Sequence, residues 1–322
     1  GAFLAGGGLA VGGTLVQGLF RNPLASPSIL GTTAGASFGG QFVLLAHGSL
    51  ASSEMLTWVA PEMVLPIGCL AGAFASLVVL LFFVRRGADL LTLLLIGFAL
   101  TSLFLSLGSF LTTLAQEQYE LGRAVVSFTL GGLGGVGWAH VRLAIPLIFA
   151  GVVAGWLWAR PLDVLLAGED EAASLGVDVP AARRWTIAWV GVLTAGAVAL
   201  GGNIAFVGLV VPHALRPFVG AEHRRLIPAS LLGGAAFLGA CDLLARVIHG
   251  ARVAMAGGFG GVALGLAGAT GVGLVSGYFG GRLDMAVQRV VDAFMCFPLL
   301  LVALTIMAIL GPGLANVILA LG

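Results

Sequence analysis

Lysine is absent from this chain of 322 residues: all 15 basic side chains are arginine. That absence removes a G-x-x-x-x-G-K-[ST] phosphate loop, a Schiff-base amine and any lysine-rich nucleic-acid patch. Charge of either sign is scarce. Charged residues make up 9% of the sequence, where a soluble domain carries about 25%. The formal net charge of +1 leaves no basic groove, so nucleic acid is not an expected partner. Cysteine is scarce too. Cys69, Cys241 and Cys296 each lie in an apolar run without C-x-x-C pairing, which argues against a disulfide frame or zinc knuckle and for three small buried hydrophobes. No H-E-x-x-H occurs, and no carboxylate pair lies inside an apolar run. The expectation is a protein without bond chemistry of its own, binding no metal and no cofactor.

What is present is hydrophobicity and glycine. Hydrophobic residues make up 59% of the chain, 51 positions are glycine, and the mean hydropathy is +1.09. A helix needs about 20 apolar residues to cross about 30 Å of hydrocarbon. Residues 1–20, 22–53, 63–84, 90–116, 143–159, 185–215, 226–241, 253–281 and 293–322 carry no Asp, Glu or Arg. These runs predict an all-α, polytopic membrane helical bundle of about ten transmembrane helices, the last incomplete. They lack the alternation of period two that a barrel requires. Residues 124–141 are also uncharged, but Gly131, Gly132, Gly134, Gly135 and Gly137 make a continuous span there unfavourable. A short interfacial or re-entrant piece is expected instead. Gly1 opens directly into an apolar run, which reads as a truncated start rather than a signal peptide.

Threading these spans in order places Arg21, Arg85, Arg86, Arg160, Arg183, Arg184, Arg216, Arg224, Arg225, Arg282 and Arg289 on one side, with Arg123, Arg142, Arg246 and Arg252 on the other. The richer side is cytoplasmic by the positive-inside rule. Helices in lipid associate through close backbone approach at small residues, and Gly257, Gly261 and Gly265 give two overlapping G-x-x-x-G steps.

One inside loop is long. In ARPLDVLLAGEDEAASLGVDVPAARR, Asp163 is expected to cap a turn over Val164–Leu166, and Gly168 to break it. Glu169–Leu175 then reads as a second short helix with acidic residues at its positive end, closed by Gly176. Such a pair could be a knob that fits a groove on another protein, or an ordinary solvated loop. In the second inside cluster, Gly202–Pro228, Pro212 and Pro217 are expected to forbid one straight helix. His213 has no second ligand at metal spacing and reads as a structural hydrogen-bonding group. Arg224 and Arg225 read as interfacial anchors, and Asp242 as a local partner of Arg246.

Four phrases resemble the FecCD family in that family's order: RNPLASPSILGTTAGASFG from Arg21, LGGLGGVGWAHV from Leu130, LLAGEDEAASLGV from Leu165, and GNIAFVGLVVPHALRPFVGAEHRRLIPASLLGGAAFL from Gly202. They cover about residues 1–248. The resemblance implies the permease fold of a type II ABC importer for iron-siderophore, haem or cobalamin, in a bacterial or archaeal cytoplasmic (inner) membrane. It further implies two ABC ATPase subunits inside, which carry the ATP and Mg, and a second permease subunit, either identical or a paralogue. An extracytoplasmic substrate-binding protein would dock outside, with lipid around the whole. By the same resemblance Gly168, Glu169, Asp170, Glu171, Ala172, Leu175 and Gly176 form the ATPase-coupling element. Arg246, in CDLLARVIHG, would receive an acidic residue of the docked binding protein. Asn22, Pro23, the Ser26-Pro27 step, Gly31, Asn203, Gly208, Pro212 and His213 fall in motif positions that serve structure or line the pathway. Asn203 stands where the family usually has proline. The family's first span would precede Gly1.

From residue 249 the pattern changes. GARV, GYFGGRLDMAVQRVVDAFMCFP and LGPGLANVILALG resemble permeases of dipeptide, oligopeptide and nickel importers. The domain reading is therefore a FecCD-like permease over 1–248 and a partial peptide- or nickel-type permease over 249–322, with the seam at 249–251 on the outer side. The rival functions are a peptide or nickel ABC permease, an ion-coupled secondary carrier and a non-transporting scaffold.

Overall fold

A computed structural model describes residues 1–50, 61–295, 299–311 and 313–321, and every regular element among them is helical. The chain divides into two compact units, Gly1–Asp242 and Leu243–Gly322.

The first unit is built around α1 (Ala2–Leu19), in which every residue from Ala5 to Leu19 is buried. Its sequence, AFLAGGGLAVGGTLVQGL, explains the central place: without side chains at its glycines, neighbouring helices reach the backbone itself. A methyl group at Gly13 would stand 1.7 Å from the Gly208 carbonyl oxygen, and one at Gly6 2.2 Å from that of Gly234. The helices meeting α1 are α6 (Trp138–Leu157), α9 (Val179–Gly201), α10 (Val207–Val219) and the start of α11 (His223–Phe279). On the far side of α9 lie α2 (Thr32–Leu50) and α3 (Pro61–Arg85). These two pack through facing glycines: a methyl at Gly72 would meet the Gly35 oxygen at 2.0 Å, and one at Gly39 the Gly68 oxygen at 2.1 Å. The apolar α4 (Leu90–Ala115) leans on α2 and exposes Leu91, Leu95, Phe98, Leu103 and Phe110. The second unit contains the rest of α11, then α12 (Gly281–Met295), α13 (Leu299–Leu310) and α14 (Leu314–Leu321).

Among the described residues, six helices are long and apolar enough to cross a bilayer: α1, α4, α6, α9, α11 and the Met63–Arg85 part of α3; α10 is a shorter apolar helix. The runs read from the sequence are redistributed for local reasons. The 22–53 run loses its first third to a turn and a 3-10 helix (Pro27–Leu30) that ends at Gly31, whose φ of 72° suits glycine. The 185–215 run divides at Gly202 into α9 and α10. The expected spans 226–241 and 253–281 lie together in α11, because the residues between them include no proline to stop a helix. The unit boundary falls inside that helix. Residues 119–130 form the helix α5, and the glycine-rich run follows as a loop.

Two expectations are corrected. The Gly202–Pro228 cluster is not one straight helix, but the break falls after Val219 and not at Pro212 or Pro217, which both lie inside α10. Proline removes the N–H that would bond the carbonyl four residues earlier, and the Gln17 side-chain amide donates to that carbonyl, Gly208 O, and to Leu209 O, at 3.4 Å each. Of the cysteines, Cys69 is buried but Cys241 is exposed, while Cys296 lies outside the described residues.

The close backbone crossing of α1 and α10 generates a contrast. Gly13→Ala is expected to destabilise the protein by about 1–3 kcal/mol through overpacking. Gly134→Ala, with open space around it, stays within about 0.5 kcal/mol. Thermal unfolding of both variants in detergent checks this; equal midpoints would mean the helices do not approach as closely as described.

Candidate functional site

The arginine-rich loops gather at one end of the first unit. There α7 (Ala159–Leu165) and α8 (Glu169–Ser174) form a two-helix knob between α6 and α9. Gly168 separates them with φ 138°, a value that disfavours any side chain, and the Glu171 carboxylate folds back over it. α8 ends as its sequence suggests: Gly176, at φ 85°, donates to Ala173 O at 3.0 Å and Val177 to Ala172 O at 2.9 Å. That is the paired closure that glycine permits after a helix. Asp178 then caps α9 by accepting from the Ala181 amide at 2.9 Å.

Side chains tie this knob down at two places. Asp163, expected to cap a turn, lies within α7 and reaches the start of α11 instead. Its Oδ1 accepts the His223 backbone N–H at 2.8 Å and lies 2.6 Å from His223 Nδ1. His223 is 1% exposed, and its ring fills the space left by Gly18 on α1. The second tie is Arg183 on α9, which pairs with Glu169 and donates through Nη1 to Ala88 O at 3.0 Å. Asp89, beside Ala88, caps α4 by accepting the Thr92 amide at 3.0 Å. Hydrogen bonding from the Thr92 side chain, and then from its amide, holds the Asp89 carboxyl below its ordinary value, with Arg183 adding a smaller Coulombic pull. Nearby, Arg216 Nη2 donates to Gln17 Oε1 at 2.7 Å.

The coupling residues read from the sequence thus separate into two sets. Gly168 and Ala172 are buried and Glu169 turns inward to Arg183, whereas Asp170, Glu171, Leu175 and Gly176 are exposed. The outward face is acidic with an apolar margin, since Leu175 is 71% exposed and Leu166 is exposed as well. Aromatic and basic groups mark the same end as interfacial: Trp158, Trp185 and Trp189 stack in series, and the Arg224 guanidinium lies 5.1 Å from the Trp156 ring centre. Arg225 pairs with Glu222 on the exposed surface.

The remaining motif positions fall into place locally. Asn22 Oδ1 accepts the Leu24 amide at 2.9 Å, which turns the chain through Pro23. Ser26 is the extended residue before Pro27, which opens the 3-10 helix. The segment then seats Gly31 against Leu100 and Gly97 of α4. Gly208 meets Gly13, Pro212 is buried and His213 is exposed. Asn203 belongs to the opposite end, where its carbonyl lies against Gly131. That end contains a cavity of about 450 Å³ lined by Ser127, Phe128, Gly134, His140 and Gly201, among others. Arg246 lies on α11 in the second unit and is exposed. Among the described residues no group of three His, Cys, Asp or Glu side chains could hold a metal.

Sequence reading passes over Gln17, Arg183 and His223 as site residues. Gln17 does carry a signal, as the one side-chain amide in the run 1–20. Arg183 and His223 carry none, because Ala88 and Asp163, the partners that tie them to other helices, lie 95 and 60 positions away.

The FecCD transport family model matches residues 1–270. The iron(3+) dicitrate transport system permease FecD of Escherichia coli K12 is 40% identical over 248 residues, covering 77% of this chain and 74% of that protein. The cobalamin import system permease BtuC of Halobacterium salinarum is 39% identical over 247 residues, covering 75% of this chain and 62% of that protein. A solved structure described as an inward-facing conformation of a metal-chelate type ABC transporter aligns with TM-score 0.68 at 31% identity. It covers 77% of this chain and 75% of that one.

Two effects follow from the ties. Asp163→Ala is expected to lower stability by about 1–3 kcal/mol, because it strands a buried His223 N–H; thermal unfolding measures it, and an unchanged midpoint would refute the tie. The Asp89 cap contributes above the unfolded carboxylate value of about 3.9 and is lost as pH falls through its lower folded value. Amide exchange at Thr92 should therefore accelerate in that acid range, and Asp89→Asn should flatten the response.

Proposed function

Because the chain belongs to the FecCD transport family, the membrane-spanning permeases of ABC importers, we propose that it carries an iron-siderophore or related metal chelate, such as haem or cobalamin, into the cell. It is a multi-pass membrane protein and a transport subunit. In this reading it binds no cofactor; ATP and Mg belong to two partner ATPases. A second permease subunit, identical or a paralogue, completes the membrane part, and an extracytoplasmic binding protein delivers the chelate, with Arg246 as a docking position. We assign residues 249–322 to a partial permease of the peptide or nickel type, although the FecCD family model extends past that seam to residue 270. Support for the chelate comes from relatives named for iron dicitrate and cobalamin, and from the metal-chelate type structural neighbour.

The observation that carries the mechanism is the knob. Its acidic, partly apolar face is turned outward while Glu169 and Asp163 fasten it to the helices behind. A partner ATPase grips this face, and its closing motion on ATP moves the knob and the helices attached to it. Energy enters as the difference in the ATPase's affinity for two permease states, since a ligand shifts an equilibrium only by its differential affinity. The weak polar character of the spans suits a substrate whose binding is shared with the outer protein.

Replacing Glu169, Asp170 and Glu171 with arginine is expected to abolish co-purification of the ATPase and radioiron uptake from ferric dicitrate. Unchanged co-purification would overturn the coupling assignment. Uptake that follows an imposed ion gradient without ATP would favour a secondary carrier instead.

A further inference from the structure

The two halves of the knob are fastened to different helices. Asp163 joins α7 to the start of α11, where His223 fills the gap at Gly18 of α1. α8 is held instead by Glu169 to Arg183, and through Arg183 to the Ala88 carbonyl in the turn between α3 and α4. The Arg183 side chain is 13% exposed, and its Nε is buried without a hydrogen-bond partner among the described residues. Its charge is therefore compensated at its two Nη atoms. Between the two halves lies Gly168, at φ 138°.

We propose that Arg183 is a positioning residue that locks α8 to the α3–α4 turn, so that an ATPase displacing α8 carries the N-terminus of α4 with it while α7 stays with α1 and α11. The inference rests on the reading of α8 as the ATPase-coupling element. The chemistry favours a rigid link. A guanidinium is planar and offers separate N–H groups to two acceptors at once, whereas an ammonium is a single point charge on a flexible stem. Removing one partner of a largely buried pair leaves the other uncompensated, so the link resists opening. On the α7 side the link is to a different pair of helices, and Gly168 is the backbone position between them that tolerates a large change in φ. Movement of α8 then becomes movement of α4 against α1, which is a change within the bundle rather than a translation of the whole.

The test uses the assembled permease–ATPase complex in lipid nanodiscs, with spin labels on exposed positions. One pair joins Ala173 on α8 to Arg86 at the α3–α4 turn; the other joins Ala173 to Arg225 on α11. On adding ATP with magnesium and vanadate, the Ala173–Arg225 distance is expected to shift while the Ala173–Arg86 distance does not. Arg183→Lys is expected to release the Ala173–Arg86 distance, so that it too shifts with nucleotide, while the ATPase still co-purifies. The proposal is overturned if both distances shift equally with Arg183 intact, if Arg183→Lys leaves the Ala173–Arg86 distance fixed, or if Arg183→Lys releases the ATPase, which would place Arg183 in the docking surface. If the Arg183→Lys permease does not itself fold and purify, the two distances in the unsubstituted complex decide alone. Asp170→Arg with Glu171→Arg leaves the Arg183 link intact and tests the underlying reading separately: retained ATPase would sink the docking assignment, and nucleotide shifting neither distance would sink both.

Discussion

In hydrocarbon, burying one leucine against another gains little, so what holds this bundle is how closely one backbone can approach the next. The first unit satisfies that constraint around α1, whose glycines bring Gly208 and Gly234 of two other helices against its main chain. The α2 and α3 pair repeats the device through Gly35, Gly39, Gly68 and Gly72. Everything else depends on these crossings. They decide that α10 and the start of α11 stand beside α1, and hence which loops are neighbours and where the knob can be attached.

A bilayer also offers no water to a stranded polar group, and the buried polar side chains take that role. Gln17 donates to two carbonyls of α10, one of them left open by Pro212, and accepts from Arg216. Thr14 is fully buried and bonds both to its own helix and to Ser230 on α11. Each polar residue closes a gap made by a particular neighbour, and together they set the rotation of α1 against α10 and α11. The arginine-rich end uses the same logic with charge: Asp163 accepts the His223 backbone N–H at the start of α11, and Arg183 answers Glu169 and the turn after α3. A protein with few charges has placed several of them where one piece of structure must hold another.

Much of this is legible in the residues. The knob is one example, because its signals are local: Gly168 and Gly176 sit where positive φ is needed, and three acidic residues mark the start of α8. The arginine-rich end is legible for a similar reason, since arginine counts depend on loop order and not on packing. Asp163 misleads because a carboxylate before a short helical stretch looks like a cap in sequence, while its actual acceptor role depends on a residue 60 positions away. Pro212 misleads because the usual cost of proline assumes that nothing replaces the lost hydrogen bond, and here Gln17 does. Cys241 misleads because an apolar run does not say which of its faces is covered.

The sequence by itself determined the solvent, the helical class and the two short helical stretches of the arginine-rich end, since each of these follows from composition or from residues close together in the chain. Its motifs also determined the family. Only the tertiary structure decided which helices the knob is fastened to, how α10 accommodates Pro212, and which acidic residues face outward. Those outcomes depend on pairs such as Arg183 with Ala88 and Gln17 with Gly208, distant in sequence and brought together by glycine crossings that no local pattern encodes.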